Sequence, residues 1–544
     1  MVDLFLATLG RTELVNHENC AIDEDGSNAN VEDGFGANVE GGAGASVEDG
    51  VDADFRKRIL DALQPLYPDC GGEHTKLSTV IELLSLKARY QCSNIFFTEL
   101  LKFMKTILPE GNTLPSTCAK AKGMLKPFNL PVEIIHDCSN DCILYRKEYV
   151  DYEECPKCQA SRWKVPPEGS DPNARKVTVK KLRFFQITER LQRWYGNPWI
   201  AEQMYYHSNV EESIIHMRHP VDSSSWKSID RKWPEFAIEK RNVRLGLATD
   251  ALLIPGPSGP NGNIDVYLHP LIDELIELWL KGKLTYDAHK KTSFTMKEIL
   301  MWCIHDYPAY AYMSGLRTSG KFGCPACGKD TEALRLKWGN KFAYMGHRRF
   351  LRDRSHPYRR ETEKFNGFKE DRGAPIRLSG VELFYRTSTT NKEFGKMVKQ
   401  LQVDSPYSKR SILYNLPYWK FLQLRHNVDV MHVEKNFAEN MFGTFMNHKD
   451  KSKDGDPARK DLELLNLKPD LWLMKTKGKV ERPPAPYCLP KNEIELVCKS
   501  FSKLKVPIGY SGNWKKKVDM KELQFKCLKS HDYHMLMQGL MPIF

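Results

Sequence analysis

The sequence predicts an α/β core carried inside a longer, mostly helical chain. Two apolar runs of strand length, each ending on a carboxylate, and a long helical pattern between them predict it. RNVRLGLATD (241–250) reads as a buried strand ending at Asp250, and KEILMWCIHD (297–306) as a second ending at Asp306. Between them LIPGPSGPNGN has the composition of turns, and VYLHPLIDELIELWL carries apolar residues at helical spacing. A strand–helix–strand succession points to parallel pairing, since parallel strands need a crossover of a dozen residues or more.

The rest of the chain divides by composition. Residues 1–54 hold 13 acidic side chains and one basic, a net −12, so the other 490 residues carry +24 of the overall +12. In this stretch Ala-X-Val-Glu recurs at Ala29, Ala37 and Ala45, with too few large apolar groups to offset ordering, which predicts a disordered tail. Residues 55–129 read as helical: Phe96, Leu100, Phe103, Met104 and Ile107 fall at three- and four-residue spacings before Pro109-Glu-Gly, and a second helix is expected from Pro115 to Leu125. That pair is either a DNA reader or ordinary packing, and no recognition-helix signature selects the first. A zinc module is expected over 130–165, a linker and helical region over 166–240, the α/β core over 241–450, and a helical region over 451–544.

A body this basic suits a polyanion, nucleic acid above all, although a lysine-rich soluble surface has the same charge. No run of 18 apolar residues exists, so no membrane-spanning helix is expected, and the opening MVDLFLATLGRTELVN is a poor signal peptide. Of the fourteen cysteines, those that cluster at two- and three-residue gaps favour metal ligation over disulfides.

The first cysteine group is Cys138-X3-Cys142 followed after twelve residues by Cys155-X2-Cys158, with His136 just upstream. Two short-spaced pairs on facing turns supply the four soft ligands of a closed, structural zinc site, and ILYRKEYVDYEE between them suits a small hairpin. A second group joins Cys324-X2-Cys327 to His347 and His356 within an insertion at about 320–375. Around it stand Arg348, Arg349, Arg352, Arg354, Arg359 and Arg360, interleaved with Phe350 and Tyr358, a pattern suited to phosphate contacts and base stacking or to a solvated basic loop.

The carboxylates form the third constellation. Besides Asp250 and Asp306, NVDVMHVEKNFAENMF places Val430, Val433, Phe437 and Met441 on one helical face, with Glu434 among them. A coreward acid is costly unless it is paired or holds a metal. Three such acids would bind two Mg²⁺ ions for in-line attack on a phosphodiester.

YQCSNIFFTELLKFMKTILPEGNTLP, HDCSNDCILYRKEYVDYEECPKCQASRW, HPVDSSSWKSID, FAIEKRNVRLGLATD, LLIPGPSGPNGNIDVYLHPLIDEL, YMGHRRFL, LPYWKFLQLRHNVDVMHVEKN and LKSHDYHMLMQGLMP resemble, in that order, the plant CACTA (En/Spm) transposases over residues 75–544. The resemblance implies a nuclear DDE/D-type enzyme on a ribonuclease-H-like fold that binds transposon ends and cuts and rejoins DNA with Mg²⁺, a homo-oligomer being left open. By position Asp250 and Asp306 resemble the first two catalytic acids and Glu434 the third, with Asp429 as its alternative; Asp265 is a weaker candidate for the second. The sequence departs from the family where Asp250-Ala251 runs straight into Leu252-Leu253-Ile254-Pro255, a few tens of residues short. It also begins with the acidic repeat in place of a cysteine-rich segment and stops at Leu540-Met-Pro-Ile-Phe544 where relatives continue. The shortfall after Asp250 predicts a chain that does not cut DNA. A non-catalytic, zinc-stapled DNA-binding protein is the competing expectation. A ubiquitin-ligase-like zinc pair is disfavoured by the 166 residues from Cys158 to Cys324.

Overall fold

A computed structural model describes residues 60–540 except 62, 72–73, 91, 126–131, 168, 170, 172–175, 211–215, 250–260, 364, 391, 397–403, 449–450, 477–478 and 507–512. The acidic tail and Asp250 lie outside the described residues. The chain forms two compact units, Met1–Pro131 and Val132–Phe544.

The first unit is a helical cluster of α1 (Lys76–Arg89), α2 (Asn94–Ile107) and α3 (Cys118–Leu125). A capping box opens α1, where Thr75 Oγ1 accepts from Ser78 N and Ser78 Oγ from Thr75 N at 3.0 and 2.9 Å. Helix α2 ends before Pro109 as expected, and its packed face takes in only part of the expected stripe, Leu100 and Met104. Phe97 and Leu101 are its buried residues, packed with Val80, Leu114 and Ala121, while Phe96, Phe103 and Ile107 are exposed. The apolar arc of NIFFTELLKFMKTI is wide, running from Phe103 round to Leu101, so spacing alone does not say which part of it packs.

In the second unit β1 (Val132–Asp137), β2 (Leu144–Tyr145) and β3 (Lys180–Phe185) form an antiparallel sheet in the order β2-β1-β3. Its register runs from Val132↔Phe185 to Asp137↔Lys180. The expected hairpin lies elsewhere than in residues 143–154. Strand β2 pairs back onto His136 and Asp137 across Cys138–Cys142, and residues 147–149 are a 3-10 turn. The pairing of β3 with β1 also ties the region after 165 to the cysteine module.

Helix α4 (Ile187–Gly196) leads towards the second sheet, which contains β4 (Val243–Thr249). Next come α5 (Ile264–Leu280), the hairpin β5 (Lys283–Asp287) and β6 (Thr292–Met296), and then β7 (Glu298–His305) and α6 (Tyr307–Ser314). The short pair β8 (Ala333–Arg335) and β9 (Phe342–Tyr344) precedes β10 (His426–Val428) and α7 (Val430–Phe445). Strands β4, β7 and β10 form one all-parallel sheet with β7 in the centre. Helix α5 makes the crossover, burying Ile264, Leu268, Ile272 and Leu275 against Ile299, Leu300 and Met301 of β7 and against Leu413 and Trp419. Covered on both faces, β7 reads as the near-continuous apolar run expected of a parallel strand.

Helix α7 differs from expectation in its face. Val430, Val433 and Phe437 are exposed, whereas Ala438 and Phe442 pack with α8 (Lys491–Lys503) and α9 (Ser530–Met535) through Phe501, Trp514, Tyr533 and Leu536. The wheel drawn through Val430 and Phe437 ignored Ala438 and Gly443, the small residues that let a neighbour approach.

Candidate functional site

The four cysteines of the first group come together. Their sulfurs all lie within 4.8 Å of one another, with Cys138 Sγ and Cys158 Sγ 3.5 Å apart. Zinc–sulfur bonds of roughly 2.3 Å put tetrahedral sulfurs about 3.8 Å apart, so this set fits one ion. Local turns build it. Asp141 N donates to Cys138 O at 2.9 Å and Gln159 N to Cys155 O at 2.7 Å, and Asp141 and Gln159 take left-handed φ of 57° and 59° to close them. Asn140 donates to both sides of the site, from its backbone to Cys138 Sγ and from its side chain to Cys158 Sγ, each at 3.4 Å. Burial pushes the Cys138 thiol up to about 12 and Cys142 higher still. Burial also acts on Cys158, but the hydrogen bonds from Asn140, Ala160, Cys138 and Cys155 outweigh it and hold that thiol down to about 7. His136 is not a ligand. Its Nδ1 accepts from Arg162 Nε at 2.8 Å.

The second group does not assemble. Among the described residues Cys324, Cys327, His347 and His356 form no compact ligand set. His356 Nδ1 is occupied as the cap of a short helix, accepting from Tyr358 N at 3.2 Å, and the His347 ring lies against Phe365. The neighbouring arginines explain why. Arg348, Arg349 and Arg359 are buried, and they act as staples of the loop rather than as phosphate ligands. Arg348 donates to Tyr358 O, Glu361 O, Phe368 O and Asn366 Oδ1, and Arg359 to the carbonyls of Arg349, Leu351, Glu370 and Arg372. Arginine fits this use because its planar fork presents five donors at once. Of the six arginines, Arg352, Arg354 and Arg360 are exposed, with Phe350 and Tyr358 exposed beside them.

Arg348→Ala removes a buried guanidinium and its four hydrogen bonds and should lower the stability of the unit by about 2 kcal/mol, read as a denaturation midpoint. Arg352→Ala and Arg354→Ala should leave the midpoint within about 0.5 kcal/mol. A neutral Arg348→Ala would contradict the stapling role.

The carboxylates occupy one end of the parallel sheet. Thr249, His305 and Val428 share one level of the register, and the residues that follow β7 and β10 are Asp306 and Asp429. Asp429 N continues the ladder by donating to His305 O at 2.6 Å. Asp306 caps α6, its Oδ1 accepting from Ala309 N at 2.8 Å. Asp429 caps α7 with both oxygens engaged: Oδ1 accepts from Met431 N at 2.9 Å and Oδ2 meets His432 Nδ1 at 2.8 Å. Glu434 lies on α7, five residues and about 7.5 Å of helix rise beyond that cap. Its side chain is 41% exposed and its Oε2 pairs with His534 Nδ1 at 3.0 Å, so it is not the coreward acid expected. Asp265 is buried at the start of α5 in an ion pair with Lys409.

One group was passed over in the sequence. Cys303, His305 and His426 place their ligand atoms within 4.8 Å of one another below the level of the carboxylates. Burial lowers the His305 imidazole to about 4 and drives His426 down as well. The Cys-X-His alternation within KEILMWCIHD was the available signal, because residues two apart share a face of a strand.

Residues 215–252 and 251–390 match the transposase family tnp2. The two pieces meet at 251–252, the point where the sequence departs from the CACTA pattern, and the second ends before β10. Neither a curated protein nor a solved structure matches the chain. No helix among the described residues is long and apolar enough to cross a membrane.

Proposed function

We propose, from the transposase-family match over 215–252 and 251–390, that this chain is a transposase-derived, DNA-binding protein of the plant CACTA (En/Spm) kind, acting in the nucleus. Its core is ribonuclease-H-like but short of two strands, and it does not cut DNA. The observation that carries the reading is the β4-β7-β10 sheet, whose strands lead into Asp250, Asp306 and Asp429 at one end. The order β4, α5, β7, α6, β10, α7 corresponds to a ribonuclease-H-like core from which the second and third strands have gone.

Carboxylate oxygens are hard donors suited to Mg²⁺. Asp250 and Asp306 would hold it together with a third acid from the start of α7. Glu434, whose Oε2 pairs with His534, is the candidate there, with Asp429, whose oxygens take the α7 cap and His432, as its alternative. Bound Mg²⁺ would supply activation of water or a 3′-hydroxyl for attack on phosphorus.

The reading of a non-catalytic, zinc-stapled DNA-binding protein is favoured by one finding. The family match breaks where the strand after Asp250 would begin, and among the described residues the sheet containing β4 has three strands. Both readings agree on binding without cleavage.

Binding is the first test. The purified chain should retain duplex DNA at low salt, with an affinity that falls as salt rises. Arg352→Ala, Arg354→Ala and Arg360→Ala together should flatten the log–log slope by about 0.9 for each phosphate no longer neutralised. A chain that ignores duplex DNA at low ionic strength would overturn the reading.

A further inference from the structure

We infer that Cys303, His305 and His426 form a second transition-metal site, for zinc or an ion of similar softness, that pins β10 to β7. All three residues lie on one face of the sheet. His426 sits opposite Cys303 in the register, and His305 is two residues further along the same strand. The two imidazoles approach through His305 Nε2 and His426 Nδ1 at 3.1 Å. Zinc–nitrogen bonds of roughly 2.0–2.1 Å put two tetrahedral nitrogens about 3.3 Å apart, so the pair is nearly at ligand spacing.

The remaining nitrogen of His305 has the partner that a ligating histidine usually has. Its Nδ1 lies 2.6 Å from Thr249 Oγ1 on β4, an outer contact that fixes the ring orientation and leaves Nε2 directed at the site. A neutral histidine pair joined by one hydrogen bond accounts for the 3.1 Å distance but gives Cys303, fully buried beside it, no part. A metal uses all three. Binding would transfer the Cys303 thiol proton to solvent as the metal–sulfur bond forms.

The topology gives the site a purpose. Strand β10 pairs with β7 over only three residues, after an excursion from His305 through residues 306–425. Ligands on both sides of so long a loop offset its closure entropy and hold the strand that leads into Asp429. Three protein ligands leave one position of a tetrahedron for water or another small donor.

Metal counting on the full chain tests the proposal. The wild type should hold one more zinc per chain than Cys303→Ser or His426→Gln, while Cys138→Ser/Cys155→Ser should lose only the cysteine-module ion. A count unchanged by both Cys303→Ser and His426→Gln overturns the proposal. Should those variants fail to fold, zinc X-ray absorption on Cys138→Ser/Cys155→Ser supplies an independent reading. A shell combining one sulfur with imidazole nitrogen supports the site. Absence of zinc, or a shell without sulfur, overturns it. Neither measurement depends on whether the chain binds or cuts DNA.

Discussion

Zinc removal, or Cys155→Ser, should unfold the β1–β3 module of the full chain while the β4-β7-β10 sheet keeps its protection in hydrogen exchange. Structural zinc contributes on the order of 10 kcal/mol in small modules, the largest single effect expected here. Buried Asp141, which pairs with Lys180 and accepts from Tyr267, holds the Cys138–Cys142 turn as well. The module's own apolar cluster is Cys138, Cys142, Ile143, Tyr145 and Cys155, so three of its five buried members are the ligands themselves. Strand β2 is two residues long, and only β1 with β3 forms an extended ladder. Replacing one thiolate leaves three sulfurs around a weakened ion and the Asn140 donors without their acceptor charge.

The pH dependence has a defined sign. Ligands bind as thiolates, so metal binding releases protons and acid weakens it. Cys158, held down to about 7, gives up its proton most readily, whereas Cys138, pushed to about 12 without metal, becomes a thiolate only through the ion. Zinc should therefore be lost as pH falls below neutrality and be regained on return. A chain that purifies without zinc, or whose exchange pattern over 132–185 is unaffected by a chelator, would contradict this.

Much of the fold was legible because the informative elements are buried on both sides. The strands of 241–250 and 297–306 and the helix between them were readable from uninterrupted apolar runs, and the structure places them at Val243–Thr249, Glu298–His305 and Ile264–Leu280. Helix faces were harder to read. In α2 and α7 the apolar arc is wider than the face that packs, and the part that packs is chosen by partners outside the helix, such as Val80 for α2 and Phe501 for α7.

The cysteine module was legible from spacing alone, because ligands two and three residues apart can share a turn. The arginines misled, since composition reports charge and not where a guanidinium points. Arg348 and Arg359 gather carbonyls from residues up to 20 positions away, which no local pattern displays. Cys303, His305 and His426 escaped notice because His426 enters from a strand 121 residues after His305.

Two-metal cleavage needs carboxylates held so that the ions stay about 3.5–4 Å apart, and displacement near 1 Å can cost a hundredfold. Among the described residues β4 has one neighbour in the sheet, β7. After Asp250 come four residues and then Pro255-Gly256-Pro257, too few for a turn and two strands of about 5–6 residues each. Proline also cannot donate to a ladder in a central strand. On the proposed reading, the outer side of β4 lacks the antiparallel support that would aim its acid.

Strand cleavage decides whether this core is silent. The purified 544-residue chain would be given Mg²⁺ and DNA carrying the element's ends, beside a chain in which the relatives' intervening segment is restored after Asp250. No nicking above background is expected from the chain as it stands, at least about a hundredfold below the restored chain. Mg²⁺-dependent nicking by the unrestored chain, abolished by Asp306→Ala, would contradict the loss of catalysis.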